Sequence, residues 1–267
     1  MTARHVAIET PSIAGPTGGR FLGFGNAFRK ELTEWLHGPK VLVVVALSVA
    51  AAIFTTTLTR IEQATTDPGE IVDLSTDPTV NALLGWSGQL VGLIAIVATM
   101  TILSVERDRG TLAWSLTNPV SPTSILAAKF AASMIVFGVA AVVLPMGVAV
   151  VVATVAYGAM PDLGVIATFT VLFLTVPTFF LALTIGLGAG IRSTAGIAGV
   201  ALAVLLVPQM LGGMVPLVTE LSPTSIGQWA QAVVMGEAAP LSIPIVWLVS
   251  MIVIVGGAVL VFDRQEL

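Results

Sequence analysis

The chain has 267 residues, of which 56% are hydrophobic and only 10% charged, with mean hydropathy +1.00 and formal net charge −4. A soluble surface needs about 25% charged residues, so this composition excludes a soluble enzyme, a nucleic-acid binder and a disordered chain, and leaves an integral membrane protein. With no cysteine in the chain, disulfides, thiolate metal sites and cysteine nucleophiles are excluded as well.

Residues 1–22 contain Pro11, Gly15, Pro16, Gly18 and Gly19 and no apolar run. They read as a flexible cytoplasmic tail and not as a signal peptide. Residues 23–38 predict an amphipathic helix. Phe24, Phe28, Leu32 and Trp35 share one face, and Arg29, Lys30, Glu31 and Glu34 take the polar remainder. Asn26 reads as its N-cap and Gly38-Pro39 as its stop. A basic helix with aromatic anchors just before a span is expected to lie flat at the membrane surface.

Residues 39–267 form the transmembrane domain. Six apolar runs lie at 41–59, 82–104, 130–157, 163–189, 195–218 and 241–262, and none contains Asp, Glu, Lys, Arg or His. Each is close to the roughly 20 residues that a spanning helix needs. The runs are continuously apolar, whereas barrel strands alternate. The expected fold is therefore all-α and polytopic, with six transmembrane helices. Ten of the 11 Lys and Arg residues fall in the segments on one side, and only Arg60 falls on the other. By the positive-inside rule both termini are cytoplasmic.

Between the first two spans, residues 60–80 carry Glu62, Asp67, Glu70, Asp73 and Asp77. A solvated acidic loop is the default reading, and an oxygen-ligand cation site is the alternative. Gly158 to Asp162, with Pro161, reads as a tight turn between spans three and four. Pro208, Gly212, Gly213 and Pro216 break the second half of the fifth run. In the 219–240 loop, Ile226, Trp229, Val233 and Val234 suggest one face of a short interfacial helix. Gln89 and Gln209 are the bulkiest polar groups in the spans. They serve either as bridges between helices or, with Trp86 and Pro208, as the border of a translocation path.

A membrane interior without ionisable groups offers no proton relay, metal site or catalytic residue. His5 and His37 lie outside the spans, and no lysine follows glycine as a phosphate-binding loop requires. If the chain does work, the energy comes from a partner on the cytoplasmic side. The 105–129 loop is the expected docking element. Glu106, Arg107, Asp108 and Arg109 end the second span, and Gly110, Thr111, Leu112, Trp114 and Leu116 follow. Asn118-Pro119 stops that segment. Ser121 then caps a helix with Pro122 at its first turn. Lys129 is expected to snorkel to the lipid headgroups.

Glu106-Arg107-Asp108-Arg109-Gly110-Thr111-Leu112, then Asn118-Pro119-Val120-Ser121, then Lys129-Phe130 resembles the cytoplasmic loop of type 2 ATP-binding-cassette transporter permeases. The resemblance covers nearly the whole chain, including Leu221-Ser222-Pro223 after the fifth span, and Trp114 departs from the usual aliphatic position. It implies that residues 23–38 form an elbow helix and that residues 105–124 form a coupling loop. It also implies short re-entrant helices between spans five and six. The coupling residues would be Glu106, Arg107, Asp108, Arg109, Gly110, Thr111, Leu112 and Trp114. The path residues would be Trp86, Gln89, Pro208 and Gln209. The implied function is the permease subunit of an ATP-driven exporter in the cytoplasmic membrane, of bacterial type. Its implied partners are a cytosolic ATPase subunit that binds ATP and magnesium, a second permease copy and membrane lipids, with no nucleic acid. The chain itself would hold no cofactor, metal or catalytic residue. An ATP-independent channel or secondary transporter and a membrane scaffold are the competing readings.

Overall fold

Backbone N–H and C=O groups cannot stay unpaired in hydrocarbon, so long apolar stretches fold into helices that satisfy them internally. The computed structural model describes residues 22–65, 77–84, 88–108 and 121–264, and the described part is helical with no strand. Six of its helices are long and apolar enough to cross a membrane: Pro39–Leu58, Gly88–Glu106, Thr123–Tyr157, Leu163–Gly190, Thr194–Gly212 and Ser242–Val261. They are called spans 1 to 6 below. Four shorter helices surround them: Phe24–His37, Pro78–Leu84, Pro216–Glu220 and Ile226–Met235.

Span 4 is the centre of the bundle. Its inner part, Thr175–Gly190, buries Val176, Phe179, Phe180, Leu181, Ile185 and Ala189 against neighbours on several sides. Thr99, Thr154, Thr170, Thr178 and Thr184 each return their hydroxyl to a carbonyl one turn back. That removes the cost of a free hydroxyl in an apolar bundle.

Contacts fix the relative directions of the spans. Ser104 Oγ meets Thr194 Oγ1 at 2.8 Å, and Gly92 packs on Leu205 further along. Spans 2 and 5 are therefore antiparallel. Trp247 reaches Thr175 and Val261 reaches Gly190, so spans 4 and 6 are parallel. This is the alternation that six successive crossings require. It gathers Lys30, Lys40, Lys129, Arg192 and Arg264 at one end of the bundle and Asp77, Asp162, Glu220 and Glu237 at the other.

Local capping explains several boundaries. Ser121 caps span 3 by accepting from Ser124 N–H at 3.2 Å, with a proline in the first turn, as expected. The N-terminal helix ends at His37, and Gly38 caps it. Gly158 closes span 3 in the left-handed region at φ 68°, and Asp162 opens span 4 by accepting from Gly164 and Val165. Asp77, one of the loop acids, accepts from Thr79 N–H at 2.7 Å at the start of helix Pro78–Leu84.

Several expectations are corrected. Span 2 begins at Gly88, because residues 82–84 belong to the separate helix Pro78–Leu84. Span 5 ends at Gly212, and Pro216 starts a new short helix because it cannot continue the old one. Gly23, at φ 78°, precedes the first helix in place of Asn26, which lies inside it. The span 3 helix begins at Pro122, so Lys129 lies within it and that span is not free of charge.

Candidate functional site

The N-terminal helix turns an unexpected side inward. Trp35 and Glu31 are buried, and the Trp35 indole donates to Ser133 Oγ of span 3 at 3.1 Å. Glu31 meets Lys129 of the same span, and at the helix start Leu22 C=O accepts from Ser121 N–H at 3.1 Å. These pairings keep a nearly constant sequence offset. The N-terminal helix therefore runs parallel to the first turns of span 3, in register with it. Trp35 is an anchor to that span and not to lipid, because its polar edge finds a partner there.

Lys129 is the focus of the site. Its side chain is 1% exposed, and its ammonium lies 2.7 Å from Glu31 Oε1 and 2.8 Å from Glu106 Oε2. The expectation that it snorkels to the headgroups is wrong. Two carboxylates from different helices supply the oxygens that water would have supplied. Lys30 closes the cluster from the solvent side, at 3.2 Å from Glu106, 3.4 Å from Glu34 and 3.7 Å from Glu31. Glu31, Glu34 and Glu106 bring carboxylate oxygens within 4.8 Å of one another, a spacing that suits a metal ion. The Lys30 ammonium already makes the contacts such an ion would make.

Burial pushes the Glu31 carboxyl above its ordinary value, and the Lys129 charge only partly offsets this. For Lys30, burial works in the lowering direction. The Glu106, Glu31 and Glu34 carboxylates outweigh it and raise the ammonium above its ordinary value. Removing the buried Lys129 ammonium costs about 3–5 kcal/mol, because two carboxylates lose their closest counter-charge, whereas removing either carboxylate leaves Lys129 with the other.

The cluster has a mechanical consequence. Glu106 ends span 2 and Lys129 lies near the start of span 3, so their ion pair ties together both ends of the intervening loop. Glu31 and the Ser121–Leu22 hydrogen bond tie the same ends to the N-terminal helix. Glu106 is thus the expected coupling residue that the structure places in a built site. Arg107 and Asp108 close the span 2 helix, but their side chains lie outside the described part. Arg109, Gly110, Thr111, Leu112 and Trp114 lie outside the described residues altogether, as does Trp86. Glu31, Lys30 and Trp35 were missed as site residues. The signal that could have found them is helical spacing: one turn before Trp35, Glu31 falls beside the Phe24–Trp35 face and not with Arg29 and Lys30.

The other expected cluster is placed in part. The antiparallel register of spans 2 and 5 sets Gln89 level with Pro208 and Gln209 at the end opposite the lysines. Gln89 is exposed, while Pro208 and Gln209 are half-buried. Nearby on the bundle's outer end, helix Ile226–Met235 buries Ile226 of the expected face, half-buries Trp229 and Val234 and leaves Val233 exposed, while Ala230, outside that face, is buried.

No curated protein matches the chain. The family model described as "ABC-2 family transporter protein" matches residues 26–267, which take in all but the first two residues of the N-terminal helix, the ion cluster and all six spans. The chain therefore belongs to the ABC-2 transporter family and is a membrane permease subunit of an ATP-binding-cassette transporter.

Proposed function

We propose that this permease couples ATP hydrolysis in a separate cytosolic ATPase to export of a substrate across the cytoplasmic membrane of a bacterial-type cell. The basic end of the bundle faces the cytoplasm, in line with the positive-inside rule. The functional unit pairs two permease copies, identical or related, with two ATPase subunits. ATP and magnesium belong to the ATPase, and the permease contributes no reacting group. Residues 1–22 are a cytoplasmic tail, residues 23–38 the elbow, and residues 105–124 the coupling loop.

The observation that carries this reading is the Glu31–Lys129–Glu106 cluster. A loop that transmits force needs ends that cannot drift apart. Here both ends and the N-terminal helix are held through one buried ammonium. When the ATPases close, a push on Arg107 to Trp114 is passed to spans 2 and 3 together. Gln89, Pro208 and Gln209, with Trp86, border the path along spans 2 and 5.

The purified permease is expected to hydrolyse no ATP, and its complex with the ATPase subunit is expected to hydrolyse it. Glu106→Ala is expected to leave the complex assembled and to cut substrate-independent ATP turnover at least about fivefold, the low end of ordinary coupling between sites. Turnover at the wild-type rate in the assembled Glu106→Ala complex contradicts the coupling role. Solute flux through proteoliposomes of the permease alone would favour the channel reading instead.

A further inference from the structure

Spans 3 and 4 both break inside the apolar core, at adjacent points. In span 3, residues Val139–Val143 form a π-helical turn in which Leu144 N–H bonds Val139 C=O, five residues back. Pro145 follows directly. Its ring crowds the carbonyl four residues earlier and it donates no hydrogen bond. A widened turn relieves the crowding. In span 4, helix Leu163–Phe173 gives way at Leu174 to helix Thr175–Gly190, and Pro177 cannot donate to the Phe173 carbonyl.

The two breaks touch. A Cβ on Gly138 would lie 3.2 Å from Leu174 Cδ2, and Thr178 Oγ1 lies 3.1 Å from Met134 Sδ. Backbone bonds from Leu174 N–H to Thr170 C=O and from Thr178 N–H to Leu174 C=O, both 3.2 Å, flank the bond that Pro177 cannot make, and polar side chains add to them. Thr175 Oγ1 donates to Leu172 C=O at 2.6 Å, Thr178 Oγ1 to Leu174 C=O at 2.6 Å, and Trp247 Nε1 of span 6 to Thr175 C=O at 3.2 Å. The halves on either side of the breaks also have different neighbours. The inner halves pack on the N-terminal helix, span 2 and span 6. The outer halves pack mainly on span 1, helix Pro78–Leu84 and helix Ile226–Met235, and span 1 and that last helix also touch the inner halves.

We propose that Val139–Val143 with Pro145, and Leu174–Pro177, form one joint at which the outer halves of spans 3 and 4 swing together relative to the inner halves. Gly227 of the outer helix packs directly on Val176 and Phe173 beside this joint. A swing there moves that outer helix with it. The joint turns displacement at the lysine end into opening at the acidic end. The swing itself rests on the six-span fold and on no ATPase partner, so a failed reconstitution with the ATPase leaves it standing.

The absence of cysteine allows clean spin labelling of the full chain in lipid nanodiscs. Ile135 and Val155 are exposed on the inner and outer halves of span 3, and Val171 is exposed on the outer half of span 4. The Ile135–Val155 pair spans about 30 Å along the helix. Its distance distribution is expected to be broader than that of the Val155–Val171 pair by at least about 2 Å, the scale of helix shifts in switching proteins. The double variant Pro145→Ala/Pro177→Ala is expected to narrow it. An Ile135–Val155 distribution as narrow as the Val155–Val171 control in the wild type overturns the joint, whether or not the double variant folds. So does a folded double variant with unchanged breadth.

Discussion

Lys129 shows how much one residue can decide. A lysine near a helix end in a membrane protein ordinarily extends to water. This one stays within the bundle because Glu31 and Glu106 meet it at 2.7 and 2.8 Å. Lys129→Met would leave Glu31 and Glu106 with only the half-exposed Lys30 as counter-charge, and is expected to cost about 3–5 kcal/mol. Glu31→Gln would leave Lys129 with Glu106 and is expected to cost clearly less. Thermal unfolding of the detergent-solubilised variants ranks them, and equal losses would mean that the ammonium is not the focus. Glu31 adds a pH signature. Its folded-state value is raised above 4.5, so its favourable contribution is fully present below 4.5 and is lost as pH rises through the folded value. Gln mimics the protonated acid and escapes that loss. The melting temperature of Glu31→Gln relative to wild type is therefore expected to rise between pH 4.5 and neutrality. A flat or falling difference would show that Glu31 is not held against its charge.

At the scale of elements, the existence of six spans was legible because continuous apolar runs near 20 residues have few other stable destinations. Their interiors were less legible. The π-helical turn at Val139–Val143 and the break at Leu174 lie in uncharged, largely apolar sequence with no periodicity to interrupt, and the hints there are Pro145, Pro177 and the threonines beside Pro177. The ion cluster was hidden for a different reason. Glu31 and Lys129 are 98 residues apart in sequence and meet only because the N-terminal helix runs alongside span 3. Trp35 holds that helix in place. Trp35→Ala is expected to cost about 3–5 kcal/mol and to speed hydrogen exchange across Phe24–His37, with spans 4 and 6 unaffected. Uniformly faster exchange would instead indicate global loosening. Close packing in the spans gives a second check. A Cβ on Gly92 would fall 2.6 Å from the buried Phe180 ring, so Gly92→Ala is expected to destabilise by about 1–3 kcal/mol through overpacking. An unchanged melting temperature would mean that spans 2 and 4 are packed more loosely there.

For the whole molecule, the central matter is the one-sided distribution of charge. Apart from Arg60, the bundle carries its described lysines and arginines at one end, with Glu31, Glu34 and Glu106 among them in the ion cluster beside the loop that joins spans 2 and 3, while Asp77, Asp162, Glu220 and Glu237 lie at the other end. A single cysteine at Ser193 is expected to react with an impermeant thiol reagent only from the cytoplasmic side, and one at Met160 only from outside; the opposite pattern would invert the topology. Beyond topology, the decisive measurement is recovery of the ATPase subunit on tagged permease lacking residues 110–116. The deletion leaves Glu106 and Lys129 in place, so the melting transition is expected to stay near wild type while ATPase recovery falls at least about fivefold. Recovery of the ATPase at wild-type yield, with wild-type turnover, would contradict the assignment of this loop as the point where ATP energy enters the membrane domain.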